Sequence, residues 1–134
     1  MALLVHVLAI FSGFLAPLIF YLVKKDSRFV AFHSLQVLIW HAAYMVVFIA
    51  GMLVMFLSML FSLASNPHPA PGAAPRFAFF GIFGVVWLSG ICGWVVNTIL
   101  GIFYATKANS GEWAKYPLIG DFVLNRILVN QQFS

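Results

Sequence analysis

VLIWHAAYMVVFIAGMLVMFLSMLFSLA, residues Val37 to Ala64, runs for 28 residues without a formal charge. Coiled as an α-helix it extends about 42 Å, which exceeds a hydrocarbon core of about 30 Å. Such a run must tilt, kink or project into the headgroups, and it is too short for two crossings joined by a turn. Working outward, a second uncharged run spans Phe77 to Thr106, and a third precedes both, from Leu3 to Val23. The third run is interrupted by His6, Ser12, Gly13 and Pro17. Pro17 has no amide hydrogen and predicts a kink that frees a carbonyl near Gly13. Its basic residues, Lys24 and Lys25, follow the run, whereas those of a signal peptide precede it. The expected fold is all-α: one integral membrane domain over residues 1–134, a bundle of three transmembrane helices spanning about 3–23, 37–64 and 77–106.

Composition supports a lipid solvent. Of 134 residues, 63% are hydrophobic and 7% charged, and seven bases with three acids cannot cover the surface of a water-soluble fold this size. The net charge of +4 does not imply nucleic acid, because the bases sit beside apolar runs and form no basic stripe with interleaved aromatics. The single cysteine, Cys92, lies within an apolar run and reads as a small packed residue.

Between the runs lie three polar segments. SNPHPAPGAAPR, residues 65–76, carries four of the six prolines and reads as an extended loop. The joint 24–36 mixes Phe29, Val30, Phe32 and Leu35 with His33, Ser34 and Gln36, which suits an interfacial lead-in to the second helix. The joint 107–134 ends in a short amphipathic helix over Asp121 to Val129, with Leu118, Phe122, Leu124, Ile127 and Leu128 available to the interface. Six of the seven bases lie in the two joints and only Arg76 lies in the loop. The positive-inside tendency then places the N-terminus and loop outside and the C-terminus in the cytoplasm of a bacterial inner membrane.

The sharpest pattern is a stripe of small residues, Ser89, Gly93, Asn97, Gly101 and Ala105, with Gly81 before it. Four-residue spacing drifts by about 40° per step, so these share one slowly winding helix face. Close backbone approach through small residues drives helix association in lipid, and packing inside the bundle is favoured over a homodimer seam. The Asn97 amide must find a partner there. The histidines make no metal site: His33 and His41 are about 80° out of phase, His6 and His68 lie in other segments, and no carboxylate stands at ligand spacing. His33 and Gln36 form a polar pair on one face, and His41 sits deeper, as a neutral hydrogen-bonded core residue or, alternatively, a protonatable site. The serines have no general base in a recognisable arrangement, and the Gly-rich third helix lacks the strand–loop–helix setting of a nucleotide site. No enzyme activity, catalytic residue or cofactor is expected.

Two joints carry a resemblance. Lys24, Lys25 and Asp26, with Phe29, His33 and Gln36 after them, resemble the segment following the first span in a family of small bacterial membrane proteins. That family is related to the Tic-type channel subunit of the chloroplast inner-envelope translocon. Lys107, Asn109, Gly111, Glu112, Tyr116 and Pro117 resemble its segment closing the last span. Arg28, Ala31 and the proline-rich loop depart from the family pattern. The resemblance implies a non-enzymatic role in protein translocation, insertion or membrane assembly, with several copies or other membrane proteins as partners alongside the lipid bilayer. An accessory structural subunit of a larger membrane complex is the alternative, and a small-molecule or ion carrier the third. Asp26 or Glu112 pairing with Lys107, Lys115 or Lys25 is expected to clasp the first and third helices together.

Overall fold

The break in the first apolar run is sharper than a proline kink. In the computed structural model, which describes residues 1–24, 26–65 and 77–129, α1 (Ala2–Ser12) stops at Gly13 and α2 (Leu15–Val23) begins two residues later. Gly13 has φ +60° and ψ −121°, a backbone region that side chains on Cβ disfavour. Ser12 stabilises the turn: its hydroxyl donates to the Leu8 carbonyl at 2.8 Å and accepts from the Ala16 amide at 3.2 Å. Pro17 falls in the first turn of α2, where a missing amide hydrogen costs nothing.

The remaining helices are α3 (Arg28–Ser65), α4 (Phe77–Asn109) and α5 (Gly120–Val129), with no strand among the described residues. Two helices, α3 and α4, are long and apolar enough to cross a membrane. The expected third span is not found as a helix of that length, because the run is divided into pieces of 11 and 9 residues. Residues 29–36, expected as an interfacial lead-in, are continuous with α3, whose start Ser27 supports through its carbonyl and hydroxyl. Lys25, loop residues 66–76 and the tail 130–134 lie outside the described residues.

The chain divides into two units. The first comprises residues 1–43 and 95–134. Its core gathers Val5 and Ala9 of α1, Val30 and Val37 of α3, Tyr104 and Ala108 of α4, and Tyr116 of the α4–α5 connection. Helix directions within it follow from four contacts. Trp40 of α3 bonds to Asn97 of α4, while His33, further back along α3, meets the segment beyond the end of α4. Those two helices are therefore antiparallel. His6 stacks near Tyr104, and Ile10 packs where a Cβ on Gly101 would stand. So α1 runs antiparallel to α4 and parallel to α3, and its N-terminal end lies beside the C-terminal end of α4. A straight first span descending to Lys24 requires the opposite direction.

The second unit, residues 44–94, holds the inner lengths of α3 and α4. Here Tyr44 donates to the Gly90 carbonyl at 2.8 Å, and the Phe48 ring lies against Gly90. Gly51 faces Val86. A cavity of about 260 Å³ opens between Tyr44, Phe48, Trp87, Gly90, Ile91 and Trp94. The most apolar window of α3 contains no buried residue, so its large side chains face outward and need an apolar solvent.

Candidate functional site: a buried imidazole–tyrosine chain

The core of the first unit contains a small set of buried polar side chains. His6, His33, Ser34 and Gln36 are all fully buried, and Tyr116 is nearly so. Helix periodicity brings His33 and Gln36 to one face of α3, three residues apart, where they meet the connection 110–119. His6 enters from α1 because that helix runs alongside.

The geometry dictates the protons. His33 Nε2 lies 3.1 Å from the Glu112 carbonyl, which can only accept, so this nitrogen carries hydrogen. Among the described residues no carboxylate bonds to either ring, and an unpaired buried charge is costly, so His33 is neutral. Its Nδ1 therefore accepts, and His6 Nε2, 3.0 Å away, donates to it. Neutral His6 must then accept at Nδ1, where the Tyr116 hydroxyl donates at 3.2 Å. Tyr116, His6, His33 and the Glu112 carbonyl thus form one directed chain in which every donor faces an acceptor. The rings support it, with Phe29 and Phe32 edge-on to His33 at 4.6 and 5.3 Å. Burial, then the nearby Tyr104 hydroxyl, pushes the Tyr116 phenol well above its ordinary value.

Gln36 does a second job. Its amide nitrogen donates to the Ala114 carbonyl at 3.2 Å, and its oxygen accepts from the Tyr116 amide at 2.7 Å. One side chain thereby substitutes for a strand neighbour along 114–116. Tyr104 donates to the Lys115 carbonyl at 2.8 Å, so the carbonyls of residues 112, 114 and 115 are each held by a core side chain. Ser34 alone among buried side chains has an oxygen without a partner, among the described residues. The chemistry available is tight docking of the α4–α5 connection, with no group of three or more His, Cys, Asp or Glu able to hold a metal among the described residues.

Other residues singled out in the sequence fall elsewhere. Asn97 accepts from the Trp40 indole at 2.6 Å, and His41 Nδ1 donates back to the Val37 carbonyl at 2.9 Å. Of the small-residue stripe, Gly93 faces Tyr44 in the second unit, while Gly101 faces Ile10 and Ala105 is buried in the first. Ser89 is exposed and bonds to the Val86 carbonyl, and a Cβ on Gly81 meets open space. Among the described residues the expected clasp is not seen: one of its expected pairs, Lys107 with Glu112, forms but stays within one joint, and Lys25 lies outside the described residues. Lys107 pairs with Glu112 at 2.9 Å and Lys115 with Asp121 at 2.6 Å, both local to the same joint, and Asp26 has no ion pair among the described residues. Short sequence separation makes these pairs cheaper to order than a clasp between distant helices. Lys24 and Asp26 are exposed at the end of α2, as are Asn109 and Gly111 at the end of α4. Pro117 opens the turn in which Leu118 adopts φ +70° and stands 97% exposed. Sequence reasoning placed His6 in a separate segment and missed its bond to His33; the signal available was an imidazole within an apolar run.

No curated protein and no solved structure matches the chain. A protein-family comparison overturns the translocon resemblance, matching residues 1–123 to a different group. The two joints that carried the resemblance are short and mark helix ends, features that many small membrane proteins share, whereas this match extends over both long helices and the buried chain. The chain belongs to the MamF/MmsF family, the magnetosome magnetite crystal formation protein family.

Proposed function

We propose that this chain is a non-enzymatic, integral component of the magnetosome membrane that supports magnetite crystal formation as an accessory structural subunit. The family match over residues 1–123 carries this reading. Two further observations support it. Large apolar side chains are exposed on α3 from Met45 to Leu63 and on α4 from Phe80 to Phe103, as lipid-embedded helices require. The buried polar groups of the first unit are spent on docking the α4–α5 connection, which suits a scaffold with a fixed polar end better than a reaction centre. We orient that end, which bears Lys24, Arg28, Lys107, Lys115 and Arg126, toward the cytoplasm because bases accumulate there.

The test is deletion of the gene in a magnetite-forming bacterium, with re-expression of a fluorescent fusion of the full chain. Altered crystal number, size or shape by electron microscopy, restored by the fusion, together with recovery of the fusion in purified magnetosomes, is the expected result. Unaltered crystals with the fusion confined to another membrane would overturn the proposal.

A further inference from the structure

Three observations about the first apolar run belong together. The α1 helix is 11 residues long, about 16 Å, roughly half of a hydrocarbon core. It runs parallel to α3 from the same end, as His6 on His33 and Ile10 at Gly101 require. The chain must then return to Arg28, which lies five residues before His33 on α3, and the 9 residues of α2 cover about 13 Å of that descent. The run goes in and comes back.

We propose that α1 and α2 form a re-entrant hairpin seated in one leaflet, with the N-terminus on the same side of the membrane as the α4–α5 connection. The inference rests on the membrane placement proposed above, and it commits the outer face of the hairpin to one partner, the acyl chains of that leaflet. Each helix presents a stripe at the same 4-then-3 spacing: Leu4, Leu8 and Phe11 on α1, and Leu15, Ile19 and Leu22 on α2, all exposed. Neither stripe contains a polar residue. Phe11, at the tip, is 84% exposed, a position that only hydrocarbon accommodates comfortably for so large a ring. The opposite face, Val5, His6, Ala9 and Pro17, is already covered by the rest of the unit. Part of the turn's polar backbone is satisfied at that depth: the Gly13 amide donates to the Ala9 carbonyl, the Phe14 carbonyl accepts from the Leu18 amide, and the Ser12 hydroxyl bridges the Leu8 carbonyl and the Ala16 amide.

The experiment uses the full chain in a Cys92→Ser background, reconstituted into sealed vesicles of phosphatidylethanolamine and phosphatidylglycerol. Spin labels are placed singly at Leu4→Cys, Phe11→Cys and Leu22→Cys, and their collision rates with oxygen and with a water-soluble nickel chelate are compared. The hairpin predicts an oxygen-to-nickel ratio several-fold higher at 11 than at 4 and 22, which should match each other. A steady change in one direction from 4 to 22 would overturn it, as would low access to both reagents at all three sites, which signals a protein partner. A second readout leaves the core untouched: an impermeant maleimide should reach a cysteine added before Met1 and Ser110→Cys from the same face. Labelling from opposite faces would overturn the hairpin while leaving the membrane reading intact. High nickel access at all three sites would overturn both.

Discussion

The two units bury different things. In residues 1–43 and 95–134, the core contains two imidazoles, a glutamine amide and two phenols, each bonded to a partner or a backbone carbonyl. In residues 44–94, two helices meet through glycines and aromatic rings, and the Tyr44 hydroxyl donates to the Gly90 carbonyl. The first depends on directional bonds that are expensive to leave unmade, the second on contact surfaces that adjust. Substitutions should therefore cost most where they orphan a polar group.

The largest effect is expected at Gln36. Gln36→Leu keeps the volume but strands the Tyr116 amide and the Ala114 carbonyl, for a loss of about 3 kcal/mol in stability. Thermal unfolding in detergent measures it, and faster proteolysis within residues 110–119 should accompany it. Equal loss of stability without that local sensitivity would count against the docking role.

His6→Phe comes next. It fills the space but leaves the Tyr116 hydroxyl and His33 Nδ1 unpartnered, costing about 2 kcal/mol. Nitrogen NMR of the unaltered protein sharpens the comparison, because the directed chain requires hydrogen on Nε2 of both His6 and His33 at neutral pH. An Nδ1–H signal from either ring would contradict the assigned direction.

Tyr116 supplies the pH dependence. Its folded value is raised, chiefly by burial, so the neutral phenol is the form the native state prefers. Its contribution is complete below the unfolded value of about 10 and is lost as pH rises beyond it. Alkaline unfolding should begin there, and Tyr116→Phe should make that limb shallower while lowering stability slightly at pH 7.

The smallest effects belong to the second unit. A Cβ at Gly90 lies 2.7 Å from the Phe48 ring, whereas one at Gly81 meets nothing within 4 Å. Gly90→Ala should cost about 1 kcal/mol as Phe48 shifts, and Gly81→Ala should gain up to about 1 kcal/mol from helix propensity. Equal responses would show that the α3–α4 contact near Gly90 does not form.

How far the sequence was legible follows from range. The two long helices were readable because an uncharged run of 28 or 30 residues admits few structures. The break at Gly13–Phe14 was half visible, as a proline and a glycine with a serine beside them, but the direction after it was not. The docking role of Gln36 was hidden for a related reason. Its polar neighbours suggested water nearby, while its true partners are backbone groups nearly 80 residues away.

By itself, then, the sequence determined that two long stretches of this chain are apolar enough to cross a membrane, since hydropathy is a local property summed along the backbone. Only the tertiary structure decided that the first run doubles back, and that His6, His33 and Tyr116 share one set of protons. Hydrogen-bond direction and chain reversal depend on which distant groups come within hydrogen-bonding distance, and no local pattern records that.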